Sequence, residues 1–261
     1  MIYKTIKLTS HQGIATITLS RPDVHNAMNE TLMKELTTSF QNLSEDTTVQ
    51  CIVLTGEGPS FCAGADLNWM KSMVSYTKQE NINDSNLLLD LYNTINDCPK
   101  PVIGKINGHA FGGGLGLIAV CDITIATPKS KFAFSEAKLG IIPAVISSFV
   151  SPRMKQADMR RFFITAERFD TQIAHEIGLI DIVTTEEEFE QTIEKYISLV
   201  LSSGPQAITE IKKLINNLSA MDRKQFQQHS VEKIAELRVS MEGQEGISAF
   251  LEKRKPHWRM K

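Results

Sequence analysis

The stretch Gly108-His109-Ala110-Phe111-Gly112-Gly113-Gly114-Leu115-Gly116-Leu117-Ile118-Ala119-Val120-Cys121-Asp122 decides the fold. It carries five of the chain's 15 glycines, an apolar segment over 102–106 runs into it, and an apolar face free of further Gly or Pro leaves it. That pattern places the glycines where a strand turns into a helix. Backbone N–H groups at such a turn are unhindered and carry partial positive charge. They can receive a resident anion, or the oxygen of a carbonyl that becomes negative during a reaction. Three readings stay open on this stretch alone. One is close packing of helix on strand with no ligand. A second is a dinucleotide site, because Gly114-x-Gly116-x-x-Ala119 fits the glycine fingerprint and Glu136 lies near the expected acidic position; that fit is weak, since about a hundred residues precede a motif that ordinarily opens its domain. The third is an oxyanion hole, which needs a second N–H donor from upstream.

With 261 residues, 42% of them hydrophobic, the chain can build one large domain, or one domain and a small helical appendage. A net charge of −2 gives no reason to expect nucleic acid or an anionic membrane as partner. No apolar run approaches the ~20 residues of a membrane span, and Met1-Ile2-Tyr3-Lys4 does not open a signal-peptide core. The expectation is a cytoplasmic protein that begins here. Cys51, Cys62, Cys98 and Cys121 form no C-x-x-C pair and are expected as reduced core fillers. The histidines show no i, i+4 pairing, so no metal site is expected.

Residues 6–8 and 14–19 alternate apolar and polar around Ser10-His11-Gln12-Gly13, which predicts a β-hairpin with one buried face. Residues 21–29 read as an exposed loop, and Asn29 caps a helix over 30–43 with Leu32, Met33, Leu36 and Phe40 on its inner face. The continuous apolar run 49–54, ended by Thr55-Gly56-Glu57-Gly58-Pro59-Ser60, reads as a buried parallel strand. Residues 71–98 are polar and mixed, with Leu87, Leu88, Leu91 and Ile95 as a helical face and a mobile cover expected over 71–84. Strands are expected over 123–126 and 131–134, the latter running into Ser135-Glu136. Strand, turn and helix thus repeat, which predicts an α/β architecture with parallel strands and helical crossovers. From residue 153 onward the pattern is helical, over 153–165, 171–176, 187–202, 205–219, 222–241 and 242–255. Glu186-Glu187-Glu188 opens one of these helices, where negative charge is favourable.

The candidate second donor is Phe61-Cys62-Ala63-Gly64-Ala65-Asp66-Leu67, which also follows a strand and precedes a helix. Small residues such as Gly64 and Ala65 let a ligand reach the main chain. A plain N-cap accounts for Asp66 but not for the whole small-residue run.

Taken in order, these pieces resemble the crotonase family, the enoyl-CoA hydratase/isomerase superfamily, over nearly the whole chain. The resemblance rests on Arg21-Pro22 with Asn26-Ala27 and Asn29, on 61–67, on Pro101-Val102-Ile103 with Gly108 and Gly112-Gly113-Gly114, on Cys121-Asp122, and on Glu136 with Leu139-Gly140 and Pro143. It implies an α/β fold, a spiral of ββα/βαβ turns over 1–200 followed by a helical trimerisation region over 201–261, assembled as a homotrimer or homohexamer. It implies an acyl-CoA substrate whose thioester oxygen is held by the N–H groups of Ala65 and Gly113, with neither metal nor further cofactor. Negative charge develops on that oxygen during reaction, and one preorganised donor in a dry site is worth ~3–4 kcal/mol. It also implies that His25, Ala27, Ala63, Asp66 and Leu67 line the CoA channel, largely through backbone, and that Phe250 and Lys253 of a neighbouring subunit meet the adenine or a phosphate.

Two-carboxylate hydratases of this family carry one glutamate two residues after the triple glycine and a second further along. Here the first position is Gly116, and only Glu136 remains. A glycine removes charge and side chain together, so room for substrate or water is expected at Gly116. Read alone, a carboxylate after an apolar strand is structural or solvent-facing; with the resemblance, Glu136 becomes the general acid/base. The run from Ser135 to Ser147 resembles the lineages that hydrate 3-methylglutaconyl-CoA in leucine breakdown. A 3,2-enoyl-CoA isomerase, which also manages with one glutamate, and a non-catalytic acyl-CoA- or RNA-binding member of the fold are the alternatives.

Overall fold

The computed structural model describes residues 3–218 and 220–259. Met1, Ile2 and the Ser219 end of the helix expected over 205–219 lie outside the described residues.

The period-two segments form the expected hairpin, β1 (Ile6–His11) antiparallel to β2 (Ile14–Leu19). The helix capped by Asn29 is α1 (Glu30–Glu45); Asn29 Oδ1 accepts from Leu32 N at 2.9 Å, and Leu32, Met33, Leu36 and Phe40 are buried. The chain then winds through turns that each place one strand in each of two sheets. β3 (Cys51–Gly56) is followed by β4 (Ser60–Cys62), with α2 (Leu67–Met73) and α3 (Lys78–Asn96) as the return. β5 (Val102–Ile106) is followed by β6 (His109–Phe111), with α4 (Gly113–Ala119) as the return. β7 (Ile123–Ala126) is followed by β8 (Lys131–Ala133). Helices α5 (Ala144–Val150) and α6 (Gln156–Thr165), strand β9 (Phe169–Asp170), helix α7 (Thr171–Glu176) and strand β10 (Ile182–Val183) complete the spiral. Four α-helices end the described chain: α8 (Phe189–Leu201), α9 (Pro205–Asn217), α10 (Arg223–Val239) and α11 (Met241–Leu251).

The larger sheet runs β1-β2-β3-β5-β7-β10 and the smaller β4-β6-β8-β9. Pairing from β2 to β10 in the first, and from β4 to β8 in the second, is parallel, as the continuous apolar runs predict. The larger sheet is covered on both faces. Ile52, Leu54, Val102 and Ile106 belong to the main core with Phe40, Leu91 and Ile95, while Cys51, Val53, Ile103 and Ile125 pack on Phe189 and Ile193 of α8. All four cysteines are buried free thiols, and burial pushes Cys51, Cys62 and Cys121 up to about 12.

The structure adds detail where the pattern was too short to read. The strand that leads into the glycine turn is β6, a separate element after β5. Residues 71–84, expected as a mobile cover, fold as the end of α2, a turn and the start of α3, tied by Trp69 Nε1 donating to Asp84 Oδ1 at 2.9 Å. Helix α5 falls in a segment to which the sequence pattern assigned no element; Pro143 and the β-branched Val145 and Ile146 do not mark it as a helix. Among the described residues no helix is long and apolar enough to cross a membrane.

Candidate active site

Three sequence motifs meet because their strands are neighbours. In the smaller sheet β4 pairs with β6 (Cys62 opposite Ala110) and β6 with β8 (Phe111 opposite Ala133). The chain leaves the carboxyl ends of these parallel strands as Ala63-Gly64-Ala65, Gly112-Gly113 and Phe134-Ser135-Glu136. Adjacent strands lie about 4.8 Å apart, so the three turns are side by side at one sheet end, where open parallel sheets commonly bind ligands. A Cβ added to Gly64 would stand 3.7 Å from Gly113 N and 2.8 Å from the Phe111 carbonyl, so the first two turns touch through bare backbone. Gly64 also has φ +87, a left-handed value that a side chain strains.

The loop 21–29 sets the first turn. Arg21 donates to Asp66 Oδ2 at 2.7 Å and to the Ala27 carbonyl, and Asn26 Nδ2 donates to the carbonyls of Glu57 and Ser60 at 2.9 and 2.8 Å. Thus anchored, the loop lays Met28 beside Ala65 as a one-residue parallel bridge: Met28 N donates to Gly64 O at 2.6 Å and Asp66 N to Met28 O at 2.8 Å. Successive backbone groups of an extended segment alternate in direction, so the Ala65 N–H faces away from Met28. Asp66 itself is committed. Its Oδ1 accepts from Asn68 N and Trp69 N at 2.8 and 3.3 Å as the N-cap of α2. Burial acts to raise the Asp66 carboxyl, but Arg21 and these amides outweigh it and hold it below the usual carboxylate range. Any contact of Asp66 with a ligand is therefore through its main chain.

In the second turn Gly112 is the N-cap of α4, with φ 49 and ψ −122, a conformation that disfavours other residues. Its N–H is spent on Ala133 O at 3.0 Å, which ties the second turn to the strand that delivers the third. Gly113 opens the helix, and as the first helical residue its N–H has no intrahelical acceptor.

The third turn delivers Glu136. Phe134 is buried against Phe163 and Phe169, with ring centroids 4.6 and 6.1 Å away, and this aromatic packing fixes where the next turn begins. Glu136 then opens a short 3-10 turn, Glu136–Leu139. A Cβ placed on Gly112 would stand 3.4 Å from Glu136 Oε1, so the carboxyl lies directly over the glycine turn. Its Oε2 is buried with no hydrogen-bond partner. Burial pushes its pKa above the ordinary value, and its own backbone N–H offsets only part of that rise.

Sequence reasoning thus located Ala65, Gly113 and Glu136 in one place. Of the other expected residues, Ala27 is buried, Ala63 half-buried, and His25 and Leu67 exposed beside the first turn, with His25 Nδ1 3.0 Å from Ser60 Oγ. Phe250 and Lys253 lie on and just after α11, a helix packed chiefly on α9 and α10, and both are exposed. Within this chain they do not join the three turns. The room expected at Gly116 is absent: Gly116 is buried, and the Tyr92 ring and Ile146 occupy the space its side chain would take. A water or acyl branch cannot stand there. Tyr92, Met28 and Ile146 were missed; the one available signal was that Tyr92 shares the helical stripe of Leu88, Leu91 and Ile95. The His109 ring takes the Lys131 N–H at 3.1 Å across the β6–β8 pair.

Comparison with known proteins identifies the family. The chain is 38% identical over 207 residues to an enoyl-CoA hydratase of Alternaria alternata, a match that spans 77% of this chain and 66% of that protein. It is 30% identical over 260 residues to the crotonyl-CoA hydratase of Syntrophomonas wolfei, covering 99% of each. The solved structure of an enoyl-CoA hydratase from Shewanella pealeana superposes with a TM-score of 0.94 at 39% identity, over 98% of this chain and 96% of that one. The family model for enoyl-CoA hydratase/isomerase matches residues 9–261, and with the crotonase fold and the three adjoining turns in place, the chain belongs to that family.

Proposed function

We propose that this protein is a hydro-lyase that adds water across the double bond of a 2-enoyl-CoA thioester. The observation that carries the reading is the Glu136 carboxyl set over the glycine turn, its Oε2 buried and unpartnered, at the sheet end where the turns bearing the Ala65 and Gly113 N–H groups adjoin. In this reaction Glu136 as carboxylate takes a proton from water while the water oxygen bonds to C3. The π electrons move through C2 onto the thioester oxygen, where the two N–H groups receive the charge. The enolate then collapses and C2 takes the proton from Glu136, so water is added, the carboxylate is regenerated, and no metal or redox group takes part. One carboxyl handling both protons delivers hydroxyl and hydrogen to the same face. A pKa above the ordinary carboxyl value suits the role, since the group must both accept and return a proton.

The hydratase names of the relatives support this reading. The run Ser135 to Ser147 favours 3-methylglutaconyl-CoA as the acyl group, with a place in leucine breakdown. Isomerisation of a 3-enoyl thioester is the second reading, favoured by the single carboxyl: carrying one proton from C2 to C4 needs no second acid. Purified protein incubated separately with 3-methylglutaconyl-CoA, crotonyl-CoA and 3-hexenoyl-CoA, with products weighed by mass spectrometry, separates them. Gain of one water on the first two is expected. Conversion of 3-hexenoyl-CoA alone, at unchanged mass, would replace hydration by isomerisation.

A further inference from the structure

Tyr92 is a buried hydroxyl that the chemistry above does not use. It projects from α3 into the region where α4 and α5 meet, is fully buried, and stacks edge-on against Phe149 with ring centroids 5.4 Å apart. Its hydroxyl donates to the Gly113 carbonyl at 2.7 Å. A Cβ at Gly116 would stand 2.5 Å from Tyr92 Cζ and 2.7 Å from both the Tyr92 hydroxyl and Ile146 Cγ2. The phenol therefore fills the volume next to Gly116 and bonds the residue whose N–H serves the thioester oxygen. Burial, and then the charges of Cys62 and Glu136, hold the pKa of this phenol well above its ordinary value, so it remains a neutral donor.

We propose that Tyr92 is a positioning residue for the oxyanion turn. By holding the Gly113 carbonyl, its hydroxyl fixes the orientation of the first residue of α4 and so the aim of the Gly113 N–H. Gly116 is the complement of this arrangement, because any side chain there would displace the phenol. The glycine turn thereby has a neutral hydroxyl behind it and the Glu136 carboxyl in front of it. The assignment rests on the thioester reading of the site, but not on whether the product is hydrated or isomerised.

The test is Tyr92→Phe, which keeps the ring against Gly116 and Phe149 and removes only the donor. With the thioester that the wild type turns over, kcat is expected to fall about tenfold or more while KM stays within twofold, the pattern of an interaction felt chiefly in the transition state. Genetic incorporation of 4-aminophenylalanine at position 92 restores an N–H donor and should recover most of the rate; 4-methylphenylalanine, of like size without a donor, should not. This pair also decides the matter if Tyr92→Phe folds poorly. A kcat within twofold of wild type for Tyr92→Phe or for 4-methylphenylalanine overturns the assignment. Binding of acetoacetyl-CoA, whose enolate is visible by ultraviolet absorbance, separates the two proposals. Wild-type protein that stabilises the enolate but hydrates nothing overturns the hydratase reading alone, and Tyr92→Phe should then lower the bound enolate fraction about tenfold while acetyl-CoA affinity holds. Failure of the wild type to bind either thioester overturns both.

Discussion

At Glu136, burial makes an ordinary carboxylic acid a weaker acid and its carboxylate a better proton acceptor, and it does so at a cost to the fold. The carboxyl is raised by desolvation, and one of its oxygens has no partner. Glu136→Gln keeps the shape but cannot exchange a proton, so kcat should fall about 10²–10⁴-fold while thioester binding survives. The same variant tests the burial. A carboxyl raised in the folded state contributes stability below its ordinary value of 4.5 and loses it as pH rises through the folded value. The difference in Tm between Glu136→Gln and wild type should therefore be small at pH 4 and shift in favour of the glutamine variant by pH 8. A difference that does not change with pH would contradict burial as the cause. In wild type, the acid limb of kcat should report an apparent pKa above 4.5. Ala65, Gly113 and Glu136 were legible in the sequence because each sits in a local turn motif. Tyr92 was not, because its importance comes from an empty position on another helix, and no local pattern announces a space.

At the scale of elements, the site is a consequence of strand adjacency: three short parallel strands release three turns at one end of a sheet. The loop 21–29 is what keeps the first of those turns in register, through Arg21 and Asp66, whose side chains are largely shielded from solvent. Asp66→Ala removes the partner of a shielded guanidinium and the N-cap of α2 together, which should cost about 3 kcal/mol or more in urea unfolding. Asp66→Asn, which keeps a capping acceptor, should cost less. An Asp66→Ala variant within about 1 kcal/mol of wild type would mean that the ion pair is not what anchors the loop. The β1–β2 hairpin, α1, β3 and the C-terminal helices could be read from periodicity because each runs for several residues. Strands β4, β6, β9 and β10 could not, since two or three residues carry no period and their pairing is set by the neighbouring strands.

At the scale of the molecule, the described chain leaves a large apolar surface without cover. Val239 is 78% exposed, Met241 92% and Leu251 73%, and Ile211, Ile215, Leu218 and Val231 on α9 and α10 are also exposed. Their number on the C-terminal helices argues that a partner covers them. The helices that carry it are held to the spiral by polar contacts: Lys212 Nζ meets Asp122 Oδ2 at 2.6 Å, and Thr209 Oγ1 donates to the Pro99 carbonyl at 3.1 Å. Helix α8 packs on the larger sheet and ends at Leu201, so a division into a core over 1–200 and an oligomerisation region over 201–261 cuts its last turn, just before the loop Ser202-Ser203-Gly204. We propose that copies of this chain cover the face as a trimer or a pair of trimers, which would also bring Phe250 and Lys253 toward a neighbour's CoA channel. Multi-angle light scattering at micromolar concentration should give the mass of three or six chains. Val239→Glu, which puts a charge into the face and lies far from Glu136 in sequence, should shift the mass toward monomer. If assembly completes the CoA channel, the dissociated form should lose thioester affinity while Glu136 stays in place. A wild-type monomer would remove Phe250 and Lys253 from the site and leave the apolar face to some other partner.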